Sequence, residues 1–348
     1  MKMKDTMYGV MKPAPVEGAV IREDLPIPEI GDRDILVRVR ATAICGTDLH
    51  IMAWTEYAQK RVPTPMVFGH EFSGDVVAVG KDVTEVKVGD KVAGETHIPC
   101  NECRMCETDN RHICENMKII GVHVPGSYAE YIGFPVDCAF KLPDDFDYNV
   151  GALLEPMGVA VHGIDAADIA GKAAVVYGCG PIGLMAVGTA KAWGAKQVIA
   201  VDVFPQKLDV AKRMGADAVI NGKEADVQAE VMRLTGYGAD VVVDFTGNLR
   251  AIKAEFSLIH KGGRVVLVGL PNGTIELDLT ESIIYKEATV VGVTGRLMYR
   301  TWDQCVELIR SGKFDIKPVV SGIYPLRDYE RAFADIHSGA PGKMVLIP

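Results

Sequence analysis

The sequence contains no run of about 18 consecutive apolar residues, the length that a membrane-spanning helix needs, so a helical membrane protein is excluded. It also lacks a basic excess. Lysine and arginine total 37 against 46 aspartates and glutamates, a net charge of −9, so no nucleic-acid partner is expected. It has no internal repeat and no low-complexity tract. The opening MKMKDTMYGV has lysines but no apolar stretch of the signal-peptide kind, and a cytoplasmic protein without membrane attachment is expected. In that setting the eight cysteines are expected to be metal ligands and free thiols rather than disulfides.

What is present points to a two-domain enzyme. A chain of 348 residues is long for one core. Apolar residues at 48% and charged residues at 24% are ordinary globular usage. Four cysteines, Cys100, Cys103, Cys106 and Cys114, fall within fifteen residues at spacings x2, x2 and x7. Thiols so placed can close on one tetrahedral zinc ion, fill all four positions, and leave none for substrate. The metal is then structural. A ferredoxin-type iron–sulfur run ends C-x3-C-P, whereas here the last gap is seven residues and Glu115 follows. Cys45, Cys138, Cys179 and Cys305 remain outside the cluster.

Periodicity divides the chain. Up to about residue 155, short β-like runs (Ile35–Arg40, Asp75–Gly80, Tyr128–Ile132) are separated by Gly, Pro and Asp, which predicts an antiparallel, barrel-like domain. From about Gly158 to Gly295, strands alternate with helices. Strand Ala173–Tyr177, helix Ile182–Trp193, strand Gln197–Asp202, helix Pro205–Met214 and strands Val241–Phe245, Arg264–Val268 and Thr289–Val293 predict a doubly wound parallel sheet. A helix over Thr301–Ser311 follows, and the tail is expected to rejoin the first domain.

Gly178-Cys179-Gly180-Pro181-Ile182-Gly183 sits between the first of these strands and its helix. In that place the first glycine turns the chain, the second admits a pyrophosphate, and the third lets helix pack on strand. The helix N-terminus then offers free N–H groups and a positive dipole end. Asp202 ends the next strand, nineteen residues after Gly183, where a carboxylate accepts from both ribose hydroxyls and repels a 2′-phosphate. Val203 follows, with no basic group to offset that repulsion, so NAD rather than NADP is expected. Lys207 is in reach of the ribose, and Val268-Gly269-Leu270 and Val293-Thr294 end later strands, where they are expected to border the nicotinamide end.

Cys45 and the pair His70-Glu71 supply one thiolate, one imidazole and one carboxylate, a donor set suited to a second zinc with an open position. Glu155 is a further carboxylate at the expected domain junction.

Taken in order, Cys45-Gly46-Thr47-Asp48-x-His50, Gly69-His70-Glu71, the four-cysteine lobe, Glu155-Pro156 and the Gly178–Gly183 loop resemble the zinc-dependent medium-chain alcohol dehydrogenases from end to end. The stretches His50–Trp54, Gly94–Ile98 and Gly292–Arg296 with Thr301-Trp302 are similar to those of members that oxidise the 3-hydroxyl of L-threonine. The resemblance implies an α/β protein with a GroES-like antiparallel β-barrel catalytic domain (1–157 and 296–348, zinc lobe about 95–117) and a Rossmann NAD-binding domain (158–295). It implies two zinc ions per chain, one structural and one catalytic, the latter on Cys45, His70 and Glu71.

Glu155 is then expected to ligate transiently or to position water, and Thr47 and His50 to relay the hydroxyl proton to solvent. His97 and Arg296 are expected at the substrate, in a cleft between the domains. The substrate class implied is a hydroxy amino acid. Met157-Gly158-Val159-Ala160-Val161 looks more like the polyol and butanediol enzymes, which keeps a polyol or 2,3-diol open. A homotetramer paired around Glu287–Val293 is implied as well. A catalytically silent relative would be expected to have lost metal ligands, and this chain keeps both sets.

Overall fold

The structure, a computed structural model, describes residues 6–348; residues 1–5, which opened the signal-peptide reading and the first domain, lie outside the described residues. The chain forms two compact units, one made of the residues up to Glu155 together with Val320–Pro348, the other of Pro156–Val319.

In the first unit, the long strand Asp34–Ala43 is the organiser. Its middle alternates buried Val37, Val39 and Ala41 with exposed Arg38 and Arg40, the period-two signature of a strand with one wet face. It pairs antiparallel with Glu71–Val79, with Tyr131–Pro135 and with the C-terminal strand Lys343–Ile347. Val320–Pro325 lies parallel to that last strand, so the sheet is mostly but not wholly antiparallel. A three-stranded sheet (Val20–Pro26, Thr6–Lys12, Met66–Val67) completes the scaffold. One core is built from Val10, Ile51, Phe68, Tyr128, Leu326, Phe333 and Leu346 among others, the last three delivered by the C-terminal return.

The second unit holds a six-stranded, all-parallel sheet ordered Ala218–Asn221, Gln197–Asp202, Ala173–Tyr177, Ala239–Asp244, Ile259–Leu267, Thr289–Gly292. Its central strands read as near-continuous Val, Ile and Ala runs because both faces are covered by helices. The order reverses at Ala173–Tyr177, which sets the switch point of a dinucleotide-binding sheet at the loop that follows. The short outer strand Ala218–Asn221 is the element that periodicity did not announce. Four residues, three half-buried and only Ile220 buried, carry too little alternation to stand out.

The return to the first unit comes at Val320 rather than at 296, which corrects the expected boundary. The reason is packing. Helix Arg300–Arg310 buries Trp302, Cys305 and Leu308, and the Phe314 ring sits directly over Gly188 of helix Pro181–Ala192. Arg296 is buried against Gly158 in the same unit. These contacts tie 296–319 to the nucleotide-binding sheet.

Candidate active site

The cysteine lobe wraps tightly. Asn101 and Asp109 take left-handed backbone conformations, tolerated by short polar side chains, and a one-turn helix Arg104–Glu107 lies between them. The Cys103–Cys106, Cys103–Cys114 and Cys100–Cys114 sulfur pairs are 3.6, 3.8 and 3.5 Å apart, and no disulfide forms. A tetrahedron of thiolates at ~2.3 Å from zinc has edges of ~3.8 Å, so the cage fits that ion. Backbone N–H groups of Cys100 and Asn116 donate to the Cys114 sulfur. The Glu102 backbone amide is the main cause of a Cys100 thiol drawn down to about 6. Such donors stabilise thiolates.

The second donor group lies at the ends of strands in the same unit. Cys45 precedes the helix Gly46–Met52, and Glu71 begins the strand Glu71–Val79. Gly69, in the left-handed region just before His70, turns the chain under the Tyr128 ring, where a Cβ would collide. One ligand atom from each of Cys45, His70 and Glu71 falls within 4.8 Å of the others. His70 and Glu71 are buried, yet His70 Nδ1 and Glu71 Oε2 have no hydrogen-bond partner. Buried polar atoms left in that state are costly unless something completes them. Burial alone would lower the His70 pKa, but the charges of Cys45 and Asp48, with Glu155, overcome it and hold it up at about 10. The pocket therefore wants positive charge, and thiolate, imidazole and carboxylate suit zinc with a position left open.

The surroundings hold this group in place. Asp48 is fully buried; its Oδ2 accepts from the Cys45 backbone N–H and from the Tyr128 hydroxyl, both at 2.8 Å, and its Oδ1 stands 3.8 Å from His70 Nδ1. Lys343, buried in the C-terminal strand, donates to Glu71 Oε1 and to the Ile44 carbonyl. Asp48, Tyr128 and Lys343 had no assigned role in the sequence reading. Asp48 had a signal, since it lies three residues beyond Cys45 at the start of a helix. Lys343 had none, because it is 272 residues from Glu71. Glu155, buried at the start of helix Leu154–Ala167, is outside the three-residue donor group but acts on His70, Glu71 and Lys343 by charge.

Thr47 and His50 are three residues apart on helix Gly46–Met52 and so share a face, with Thr47 half-buried and His50 exposed. The Thr55 hydroxyl is 3.2 Å from His50 Nδ1, and Tyr57 hydrogen-bonds Thr47. His97 stands on the two-residue strand His97–Ile98, its backbone N–H donating to the buried Glu95 carboxylate at 2.8 Å.

In the second unit, Gly178 adopts a left-handed conformation, and a Cβ on Gly183 would overlap the Gly178 carbonyl oxygen. Nothing lies within 4 Å of a Cβ built on Gly180, so the space before the helix Pro181–Ala192 is open. That opening, at the first turn where Ile182 sits, fits a pyrophosphate. Asp202 accepts from the N–H groups of Cys179 (2.7 Å), Val203 (2.7 Å) and Phe204 (3.0 Å), which locks its carboxylate at the loop. The Lys207 ammonium stacks over the Phe204 ring at 4.8 Å. Val268 and Gly269 donate to the Asp244 carbonyl, Leu270 is exposed, and Val293 continues the ladder to Leu267 beside the exposed Thr294.

A parallel sheet of this order with its glycine loop, and a buried donor set for an open metal site, define a metal-dependent oxidoreductase that uses a dinucleotide. Comparisons with known proteins agree. Residues 31–144 match the alcohol dehydrogenase GroES-like domain and residues 181–311 the zinc-binding dehydrogenase domain. An L-threonine 3-dehydrogenase of Bacillus subtilis (strain 168) is 44% identical over 343 residues, 98% of this chain and 99% of that protein. Among solved structures, a zinc-binding dehydrogenase-type protein from Sinorhizobium meliloti 1021 bound to NADP has a TM-score of 0.91 at 29% identity, covering 99% of this chain and 100% of the other. The 2R,3R-butanediol dehydrogenase of Bacillus subtilis has a TM-score of 0.89 at 28% identity, with the same coverage. The chain belongs to the zinc-dependent alcohol dehydrogenase family.

Proposed function

We propose that this enzyme oxidises L-threonine at its 3-hydroxyl with NAD, giving 2-amino-3-ketobutyrate. Its cofactors are zinc and NAD. The observation that carries the chemistry is the convergence of Cys45, His70 and Glu71, with Glu71 Oε2 buried and unpartnered among them. The substrate assignment follows the 44% identity to an L-threonine 3-dehydrogenase along nearly the whole chain.

When bound, zinc would supply Lewis-acid polarisation of the substrate hydroxyl, and NAD would be the acceptor for hydride from the carbon that bears it. The chain's own residues do the rest. Cys45, His70 and Glu71 would hold the zinc, Cys45 and Glu71 supplying negative charge and His70 a neutral nitrogen. Glu155 adds a carboxylate that ligates transiently or positions water at that place. Thr47 takes up the hydroxyl proton and hands it toward His50, whose exposed ring passes it to water. Asp202 holds the adenosine ribose, the glycine loop holds the pyrophosphate, and Val268–Leu270 and Val293-Thr294 flank the nicotinamide end. His97 and Arg296 are the candidate substrate contacts.

A polyol or 2,3-diol is the second reading, favoured by Met157-Gly158-Val159 after Pro156 and by the fit to the butanediol enzyme. NAD reduction with a panel of alcohols separates the two. Turnover of 2,3-butanediol or sorbitol with none of threonine overturns the first. Metal analysis should find about two zinc ions per chain, one on the four cysteines and one on the Cys45 group. The same reading includes a homotetramer joined along the outer strand Thr289–Gly292, which lies at the open edge of its sheet. It also includes a cytoplasmic location, in keeping with eight free thiols. No helix among the described residues is long and apolar enough to cross a membrane.

A further inference from the structure

Glu71 presents two unlike oxygens. Oε1 accepts from the Lys343 ammonium, while Oε2 is buried with no hydrogen-bond partner and belongs to the carboxylate grouped with Cys45 and His70. Lys343 comes from the far end of the chain, and strand register brings it there. Ala43 is opposite Glu71 on one side and opposite Val345 on the other, so the strands beginning at Glu71 and Lys343 flank the end of Asp34–Ala43. Lys343 and Val345, two apart, share a face. Ile44, the next residue, donates its N–H to the Met344 carbonyl and accepts from the Lys343 ammonium at 3.0 Å. The ammonium is therefore tethered to backbone on one side and grips a single carboxylate oxygen on the other. Lys343 keeps only 4% of its surface exposed, so water does not compete for this contact.

We propose that Lys343 is a positioning residue for the open metal site. By occupying Glu71 Oε1 it fixes the carboxylate rotamer, turns Oε2 toward the space shared with Cys45 and His70, and limits Glu71 to one ligand atom. Partners of this kind that orient a ligand change metal affinity by about 10- to 100-fold when lost. The proposal rests on the reading that Cys45, His70 and Glu71 hold zinc. Its test therefore begins with the zinc content of the parent chain: about two ions are expected. A parent carrying only the cysteine-cluster zinc overturns the metal reading itself, and this proposal with it.

The test is zinc release from the full-length, zinc-loaded protein against rising chelator, on Lys343→Gln, Lys343→Arg, Glu71→Gln and the Glu71→Gln/Lys343→Gln pair. Lys343→Gln is expected to give up one zinc at a chelator concentration lower by about 10-fold or more, with NADH affinity by fluorescence unchanged. Lys343→Arg, which keeps the charge, is expected to recover most of the loss. On the Glu71→Gln background, Lys343→Gln is expected to add no more than about two-fold, because Lys343 acts through Glu71.

A folded Lys343→Gln that releases zinc like the parent overturns the proposal. So does a further loss of about 10-fold in the double variant over Glu71→Gln alone. If Lys343→Gln does not fold but the double variant does, and releases zinc like Glu71→Gln, the proposal stands. A double variant that fails to fold where Glu71→Gln folds shows a purely structural lysine and overturns it.

Discussion

Gly183 lies so close beneath Gly178 that a Cβ on Gly183 would overlap the Gly178 carbonyl oxygen, while Gly180, between them in sequence, has nothing within 4 Å of its own Cβ direction. Gly183 is therefore required by the fold, whereas the open space at Gly180 is where the proposed function puts the cofactor pyrophosphate. Gly183→Ala is expected to cost about 2–4 kcal/mol of stability, because backbone cannot give way as a side chain can. Gly180→Ala is expected to leave the melting temperature unchanged yet weaken NADH binding by about 10-fold, roughly 1.4 kcal/mol. Thermal unfolding and NADH fluorescence titration decide it, and equal behaviour of the two variants would refute the division.

Asp202 serves the loop and, in the proposed function, the choice of cofactor as well. Three backbone hydrogen bonds hold its carboxylate at the loop, and in the proposed binding mode a 2′-phosphate would meet its charge there. Asp202→Asn keeps an acceptor and removes the charge. The ratio of kcat/KM for NAD over NADP is expected to fall by about 10-fold or more. An unchanged ratio would show that the discrimination lies elsewhere.

Glu255 is a buried carboxyl in the core of the second unit, facing the Asp244 carboxyl. Burial first, and then the Asp244 carboxylate, push its pKa up from 4.5 to about 9. Between these values the native state keeps a proton that the unfolded chain releases, so stability falls as pH rises from 4.5 towards 9. Glu255→Gln has the same shape without the ionisation. It is expected to stabilise the protein by about 2–4 kcal/mol at pH 8 and to change little near pH 4.5. Denaturant titrations at the two pH values test this, and a gain of the same size at both would contradict it.

His50 is exposed and Thr47 half-buried on one face of helix Gly46–Met52, which suits the proposed role of His50 as the outlet of a proton relay. His50→Gln is expected to lower kcat by about 10- to 100-fold with little change in the KM for NAD. Added imidazole should restore part of the rate. A kcat equal to the parent's would remove His50 from the relay.

Much of the fold was legible in the sequence where information is local. Strands Ala173–Tyr177 and Gln197–Asp202 lie where their apolar runs place them, because a parallel strand covered on both faces has no polar alternation to obscure its ends. The outer strand Ala218–Asn221 escaped notice, being too short for any period. The domain return was placed at 296 instead of 320 because the amphipathic pattern of Arg300–Arg310 states that the helix has a buried face but not which core receives it. Trp302 and Phe314 settle that by packing.

By itself the sequence determined the donor types, the spacing of Cys100 to Cys114 and the glycine loop with Asp202. Each of these works through neighbours a few residues apart, where chain geometry leaves little choice. Only the tertiary structure decided that Tyr128 supports Asp48, that Lys343 grips one oxygen of Glu71, and that the other oxygen is left over with His70 Nδ1. Those relations depend on strand register across residues as far as 272 positions apart, and register is set by which faces are buried together rather than by any local spacing.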